Sequence, residues 1–179
     1  MMPIFSLRKI ERLLRLARNE DTTTKRGRAL EDLVCYLFDK VPGIAITHRD
    51  QLNTFQSEEI DVALWNDKSP NALDFLPNIV LVEAKNWSNP VGSREVSWFD
   101  SKLRNRGLDF GLLVALNGVT GDVNDRTAAH QIIAGSLREQ RRIVVVTTDD
   151  ISGLKQTEDL VRLIKQKLCE LAVTGTLFP

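Results

Sequence analysis

The sequence predicts an α/β protein, a three-layer α/β/α sandwich with a mixed central sheet. Two observations predict this class. Short apolar runs of strand length, bounded by turn residues, recur along the chain. Their order is the second observation: two helical patterns precede three strands, and helices and strands then alternate. Consecutive strands can pair antiparallel, whereas strands joined through a helix pair parallel, so the sheet should contain both arrangements.

The chain opens with two helical patterns. Pro3 to Arg18 carries apolar residues at helical spacing, and about Lys25 to Lys40 carries a second such stripe. The first thirty residues contain three acidic side chains but eight basic ones, namely Arg8, Lys9, Arg12, Arg15, Arg18, Lys25, Arg26 and Arg28. This asymmetry is typical both of a phosphate-binding surface and of a solvated helix face, and it leaves the two open.

Three strands follow the helices, over Ile44–Thr47, Glu59–Trp65 and Ile79–Lys85. Between the first two, His48 to Ser57 is polar and is predicted to be a loop or hairpin end. Asn71 to Asn78 is predicted to be an irregular insertion that leads into the third strand.

Helices and strands alternate after the third strand. The predicted elements are a helix over Ser93–Asn105, a strand over Phe110–Leu116, a helix from about Asp125 to Glu139, a strand over Ile143–Thr148 and a helix from about Glu158 to Val173. At 179 residues the chain is long enough for one domain with a sizeable core. We divide it into a basic N-terminal helix (1–23), a core (24–154) and a C-terminal helix (155–179).

The third strand carries the first chemical signal. Four aliphatic residues run directly into Glu83, Ala84 and Lys85. Because side chains alternate along a strand, Glu83 and Lys85 point to the same face. Charged groups at the end of a buried strand are costly unless they are paired, solvated or bound to a metal. An ion pair at the strand end is the simplest alternative to a site.

Asp61 on the second strand and Glu31 at the edge of the second helix's apolar stripe add two carboxylates. If the second and third strands pair antiparallel, Asp61, Glu83 and Lys85 converge on one face. Two carboxylates with a backbone carbonyl and waters suit Mg²⁺. A neighbouring lysine can orient an attacking water or stabilise negative charge. By itself, a partly buried carboxylate such as Glu31 is more often a satisfied structural group than a catalytic one.

These residues resemble a known family. Glu31 in Gly27–Leu33, Asp61 in Glu59–Val62, and Val82-Glu83-Ala84-Lys85 resemble the PD-(D/E)xK nuclease superfamily, although Ile60 stands where that superfamily often has Pro. Phe110 to Leu154 is similar to its Mrr-type branch. The resemblance covers about residues 24 to 154 and implies a restriction-endonuclease-like core of order αβββαβ.

The resemblance also implies roles. Asp61, Glu83 and the Ala84 carbonyl would bind Mg²⁺, with Mn²⁺ as a substitute. Lys85 would position or activate the attacking water, and Glu31 would hold a second metal or a metal-bound water. The implied reaction is hydrolysis of DNA phosphodiester bonds by an endonuclease, leaving 5′-phosphate and 3′-hydroxyl ends. RNA, DNA junctions or DNA ends are alternative substrates, and a catalytically silent module that binds nucleic acid or a protein is the alternative class.

Composition limits the partners. Lys and Arg together number 24, as do Asp and Glu, so the totals do not indicate a strongly basic nucleic-acid binder. No long apolar run is present, and Cys35 and Cys169 look like buried residues of a reducing compartment. We therefore expect a cytoplasmic protein without a membrane partner. DNA is the expected partner, and a homodimer or a partner protein could supply target choice.

Several other polar and aromatic residues are weaker candidates. Lys102, Arg104 and Arg106 near a helix end could reach phosphate, and Trp87, Trp98 and Phe99 could stack on a base, although core packing is the simpler expectation for these aromatics. His48 and His130 lack metal-ligand spacing and are expected at the surface or in loops.

Overall fold

The computed structural model describes residues 3–53, 58–120 and 128–175. Within these ranges the chain forms helices and strands in an order close to the predicted one. The elements are α1 (Leu7–Asn19), α2 (Thr23–Asp39), β1 (Ile44–Leu52), β2 (Glu59–Asn66), β3 (Ile79–Lys85), α3 (Ser93–Asn105), β4 (Phe110–Ala115), α4 (Ala128–Arg138), β5 (Arg142–Thr147), α5 (Thr148–Ser152) and α6 (Thr157–Thr174).

The five strands form one mixed sheet in the order β1-β2-β3-β4-β5. The first three strands are antiparallel neighbours, and β3, β4 and β5 run parallel. The mixed sheet predicted from the order of the elements is confirmed. Strand β4, at the centre of the parallel half, is apolar and has all six residues buried, as a strand covered by helices on both faces requires.

Helices cover both faces of the sheet. On one face, Val34 and Leu37 of α2 meet Leu112 and Val114 of β4 beside Ile164 of α6. On the other face α3 lies directly on β4, and α4 packs beside α3. The three-layer α/β/α class is therefore confirmed, with α1 packed on the outside of α2.

Gly111 allows α3 to approach the sheet closely. A Cβ at this position would lie 2.7 Å from Cζ of Phe99 and 2.9 Å from Cδ1 of Leu103. Both side chains are buried, so a larger residue would have to push the helix away. The missing side chain therefore fixes the height of α3 above the sheet.

The insertion before β3 is held by Asn66, which is fully buried at the end of β2. Its Nδ2 donates to the carbonyls of Leu73 at 2.7 Å and Leu76 at 3.3 Å, and its Oδ1 accepts from the Lys68 amide at 2.9 Å. Residues 67–78 contain only turns and irregular backbone, as predicted. One amide side chain thus satisfies backbone groups that the irregular chain cannot pair itself.

The N-terminal predictions need two corrections. The first helix begins at Leu7 rather than Pro3, because residues 3–5 run extended: Phe5 donates to the carbonyl of Lys155, and Ile4 bridges to Gln156. The second correction concerns His48 to Leu52, predicted as loop, which continue β1 and pair with β2 as far as Glu59. A register shift between Ile46 and His48 breaks the alternation that would have indicated a strand. Residues 54–57 of that predicted loop lie outside the described residues.

The C-terminal half differs from prediction at two points. The last strand ends at Thr147, whose side chain caps the unpredicted short helix α5 by accepting from the Asp150 amide at 3.1 Å. The observed α4 covers Ala128–Arg138, and the predicted start of this helix at Asp125 lies outside the described residues. The threonines that follow the apolar, β-branched run were predicted to end the strand. The hydroxyl of Thr147 instead caps the helix that begins there.

Burial corrects four side-chain expectations. His130 is buried on α4 rather than at the surface, and burial lowers the pKa of its imidazole. Trp87 and Trp98 are exposed rather than in the core, and Cys169 is exposed rather than buried. His48 is exposed and Phe99 is buried, as expected. None of the described helices is long and apolar enough to cross a membrane.

Candidate active site

The pairing of β2 with β3 brings Asp61 to Glu83. The last backbone pair between these strands is Val62 with Val82, and one residue further along, Asp61 faces Glu83. There the strands separate, and the next hydrogen bond between them is made to a side chain: the Ala84 amide donates to Oδ2 of Asp61 at 2.8 Å. The predicted antiparallel convergence of the two carboxylates is therefore present.

Glu83 is buried, with 3% of its side chain exposed, and two lysines neutralise it. Lys85 Nζ lies 2.6 Å from Oε1. Lys102 Nζ on α3 lies 2.9 Å from Oε1 and 2.7 Å from Oε2. A buried carboxylate requires such partners, because transfer of an unpaired charge from water is prohibitive.

Lys102, one of three basic residues that the sequence suggested could reach phosphate, is instead turned into the protein. Only 5% of its side chain is exposed, and its ammonium is bound to Glu83. Arg104 and Arg106 from the same helix end bind the carboxylates of Asp100 and Glu58. The position of Lys102 between the buried Phe99 and Leu103 was the available signal, because it borders the apolar stripe of α3.

The carbonyl of Ala84 points toward the separated end of β2. Successive carbonyls of a strand point to opposite edges. Lys85 turns its carbonyl toward β4, where it accepts from the Leu116 amide at 3.0 Å. The Ala84 carbonyl therefore points to the β2 edge, beside the carboxylate of Asp61.

Burial and like charge raise the pKa of Asp61 to about 6. Desolvation is the largest cause and the Glu83 carboxylate the second, partly offset by the Ala84 amide, Lys85 and Lys102. For Lys85, burial opposes protonation, but the charge and hydrogen bond of Glu83 outweigh it and raise its pKa. The three groups therefore form a partly buried, electrostatically coupled set, as catalytic sites often do.

Glu31 lies on α2 near this set but binds elsewhere. Its Oε2 lies 3.3 Å from Arg49, and the same guanidinium lies 2.7 Å from Oδ1 of Asp32. Burial, a hydrogen bond with Asp50 and the charges of Asp50 and Asp61 raise the pKa of Glu31 to about 7. The structure thus brings Glu31 within electrostatic range of Asp61, with Arg49 as its direct partner.

The donors fit a cation that takes few protein ligands. Among the described residues, no group of three or more His, Cys, Asp or Glu side chains is arranged to hold a metal. Mg²⁺ characteristically takes one or two carboxylates and keeps several waters. The site offers donors of these types: the Asp61 oxygen that does not accept from the Ala84 amide, the Glu83 carboxylate and the Ala84 carbonyl.

The comparison with protein families identifies the chain. The Mrr catalytic family, described as "Restriction endonuclease", matches residues 24–154. The chain belongs to this restriction endonuclease family. The Mrr-type resemblance inferred from the motifs over about the same residues is confirmed. A search of curated proteins found no match to the chain.

The span matched by this restriction endonuclease family contains the whole sheet. It begins in the first turn of α2 and ends two residues after α5, so it includes Glu31, Asp61, Glu83, Lys85 and Lys102. The helices α1 and α6 lie outside it and pack on the α2 face of the sheet. All residues of the candidate site therefore come from the part of the chain that defines the family.

Proposed function

We propose that this protein is a metal-dependent endonuclease that hydrolyses phosphodiester bonds of DNA. The observation that carries the proposal is the position of Asp61, Glu83 and Lys85 around one point where β2 separates from β3. Membership of the restriction endonuclease family supports the reaction class. The chemistry of the donors supports the metal, and the resemblance to the nuclease superfamily supports DNA as the substrate.

Asp61, Glu83 and the Ala84 carbonyl would hold Mg²⁺, for which Mn²⁺ could substitute. When bound, such a cation stabilises negative charge on the phosphate oxygens and makes water a better nucleophile at neutral pH. The protein holds these donors rigidly, because Asp61 is fixed by the Ala84 amide and Glu83 by Lys102. Because such donors are already in place, they need not reorganise during the reaction, which would otherwise add to the activation barrier.

Lys85 would act on the attacking water and on the phosphate. Its stem is largely buried, with 24% of the side chain exposed, and Glu83 holds its ammonium at 2.6 Å. An ammonium has three donors, so one bond to Glu83 leaves others for a water and for a phosphate oxygen. Lys85 can therefore orient the water and stabilise the charge that develops in the transition state.

Glu31 would contribute through water or a second cation, as the family resemblance implies. Its link to Arg49 argues for a supporting role: the guanidinium holds the carboxylate in place while Asp61 lies close enough to influence its charge. We therefore expect substitutions of Asp61, Glu83 or Lys85 to reduce activity more than substitution of Glu31.

The test is cleavage of a circular plasmid with Mg²⁺ or Mn²⁺. Asp61→Ala and Lys85→Ala should each reduce the rate by about a hundredfold or more, the typical cost of removing a charge-stabilising group. Asp39→Ala and Lys165→Ala are matched controls, because both side chains are exposed, on α2 and α6, and belong to none of the contacts of the site. Cleavage that survives both substitutions would rule out this site.

The choice of substrate separates the remaining alternatives. Single-stranded DNA, RNA, junctions and linear ends should be cleaved more slowly than circular duplex if the protein is a DNA endonuclease. Preference for one of these substrates would identify a different nuclease of the same fold. Binding without cleavage, unaffected by Glu83→Ala, would identify a silent binding module. Sedimentation with and without DNA would show whether a homodimer forms.

A further inference from the structure

A cleft opens beside the proposed active site, immediately beyond the end of β3. It lies between the end of α1, the first turn of α2 and the loop after β3, and encloses about 290 Å³. We call it the α1–α2 cleft; the residues that matter for its chemistry are Arg18, Thr23, Arg26, Asn86 and Trp87. Two residues of extended chain, the distance from Lys85 to Trp87, span at most about 7 Å. That is about twice the rise per nucleotide of a DNA strand along the helix axis.

Side-chain hydrogen bonds hold the walls of the cleft together. Asn86 donates through Nδ2 to the carbonyl of Ala17 at 2.9 Å and to that of Arg26 at 2.6 Å, which joins α1 and α2 to the end of β3. Asn117 donates to the carbonyls of Trp87 at 2.8 Å and Ser88 at 2.9 Å. The cleft is therefore part of the fixed framework that also carries Lys85.

The charge of the cleft is positive and poorly compensated. Its described lining residues include two arginines and no carboxylate. Within the described chain, Arg26 forms no side-chain hydrogen bond or ion pair, although its Nε is fully buried. Arg18 pairs with Asp149, but that carboxylate is 91% exposed and so holds the guanidinium weakly. The first turn of α2 adds backbone amides without helical partners.

Trp87 adds an aromatic surface next to these arginines. It is 43% exposed although it stands in a loop fixed by Asn117. An exposed tryptophan beside one arginine without a side-chain partner and one with a weak, exposed partner is a combination suited to holding a phosphate and stacking the adjoining base.

We propose that the α1–α2 cleft binds the phosphate of a nucleotide one or two steps from the cleaved bond, with Trp87 stacked on its base. The inference rests on the proposed nuclease function, since it names how the same site holds its substrate strand. Arg26 and Arg18 supply the phosphate contacts. The basic N-terminal segment then includes a specific subsite in addition to solvated helix faces.

The test measures binding separately from cleavage. A fluorescein-labelled DNA duplex and its single strand are titrated with the full chain in EDTA over a series of salt concentrations. Arg26→Gln should weaken binding about tenfold and reduce the salt slope by about 1, as expected for one lost phosphate contact. Trp87→Ala should weaken binding about fivefold or more, and Trp87→Phe should restore most of it because phenylalanine also stacks.

Controls guard against misfolding and general charge effects. Arg162→Gln removes an exposed arginine of α6 that pairs with Glu158, and it should leave the affinity unchanged. Arg18→Gln repeats the test at a half-exposed side chain whose loss should be tolerated by the fold. All variants should melt within a few degrees of the parent protein.

The outcomes separate the two proposals. If the parent protein binds and cleaves DNA while both arginine variants bind like the parent, the cleft is not a subsite and the nuclease proposal stands. If Arg162→Gln weakens binding as much as Arg26→Gln, the effect is one of general charge and the subsite is also overturned. If dAMP displaces the DNA as well as an unlabelled oligonucleotide does, the cleft is a free-nucleotide site instead. If the parent protein neither binds nor cleaves DNA, the proposed nuclease function is wrong, and the subsite that rests on it is overturned with it.

Discussion

Lys102 of α3 and Glu83 of β3 form a buried ion pair in which Nζ lies within 2.9 Å of both carboxylate oxygens. The pair joins α3 to the end of β3. Glu83 is thereby held in one orientation, while its contact with Lys85 sets the direction of a second ammonium. We therefore expect Lys102 to be a positioning residue that acts on the proposed site through Glu83.

Replacing Lys102 tests that role. Lys102→Met keeps the length of the stem but removes the charge, and we expect the maximal cleavage rate to fall about 10- to 100-fold, as for other groups that orient a metal ligand. The Mg²⁺ dependence of the rate should change as well, because Glu83 loses a competing cation. Lys165→Met, at an exposed lysine of α6, is the control. An unchanged rate and Mg²⁺ dependence would contradict the role.

Glu31 and Asp32 offer a matched pair on α2, because both carboxylates bind Arg49. The charge of Asp61 contributes to the raised pKa of Glu31. We expect Glu31→Gln to reduce the rate about tenfold or more and Asp32→Asn to leave it nearly unchanged. Equal effects in a plasmid-cleavage assay would assign both residues to the support of Arg49 alone.

Gly111→Ala should lower both stability and activity. The added Cβ would lie 2.7 Å from Phe99 and force α3 outward, at a cost of about 1–3 kcal/mol. Lys102 lies on the same helix, so its contact with Glu83 should lengthen. Gly27→Ala is the control, since nothing lies within 4 Å of a Cβ placed there in α2, and it should stabilise by about 0.5–1 kcal/mol. Urea unfolding measures both changes.

Asp100 of α3 forms an ion pair with Arg141, and the contribution of its carboxylate to the free energy of unfolding should depend on pH. Its carboxylate accepts from Arg141 Nε at 2.8 Å. Burial opposes ionisation, but the hydrogen bonds of Arg141 and Ser136 outweigh it and lower the pKa of Asp100. A lowered folded-state pKa means that the stabilisation is complete above the unfolded value of about 3.9 and is lost as the pH falls through the folded value.

The corresponding experiment compares the parent protein with Asp100→Asn. We expect a loss of about 1–3 kcal/mol at pH 7, less than for a fully buried pair because Arg141 keeps Glu139 as a partner. The difference in unfolding free energy should shrink as the pH is lowered from about 5 to 3. A difference that stays constant over this range would show that the ionised carboxylate is not the stabilising species.

The motif residues were predictable because they are local. β3 was predicted with its observed bounds, Ile79–Lys85, since four aliphatics before a polar pair leave little choice of register. The convergence of Asp61 with Glu83 was predicted on the condition that the second and third strands pair antiparallel, and this condition is met. Family membership followed from the same residues.

Other features depend on contacts between distant segments. The extension of β1 through His48 to Leu52 is polar in sequence and becomes a strand only because β2 supplies its hydrogen bonds. Helix α5 begins where the Thr147 side chain, at the end of an apolar strand, caps it. The polar residues of the β1 extension have no hydrophobic period that would indicate a strand. The capping-box pattern of Thr147 and Asp150, by contrast, was a sequence signal for the start of α5.

By itself, the sequence determined the layer order, the mixed sheet and which carboxylates meet Lys85, because hydrophobic periodicity and strand alternation are properties of short segments. Only the tertiary structure decided what neutralises Glu83, what holds Glu31 and which arginines lack partners. These depend on the distance at which one helix packs on another element. Gly111 fixes that distance for α3, and a lysine that looked like a surface residue is thereby buried against Glu83.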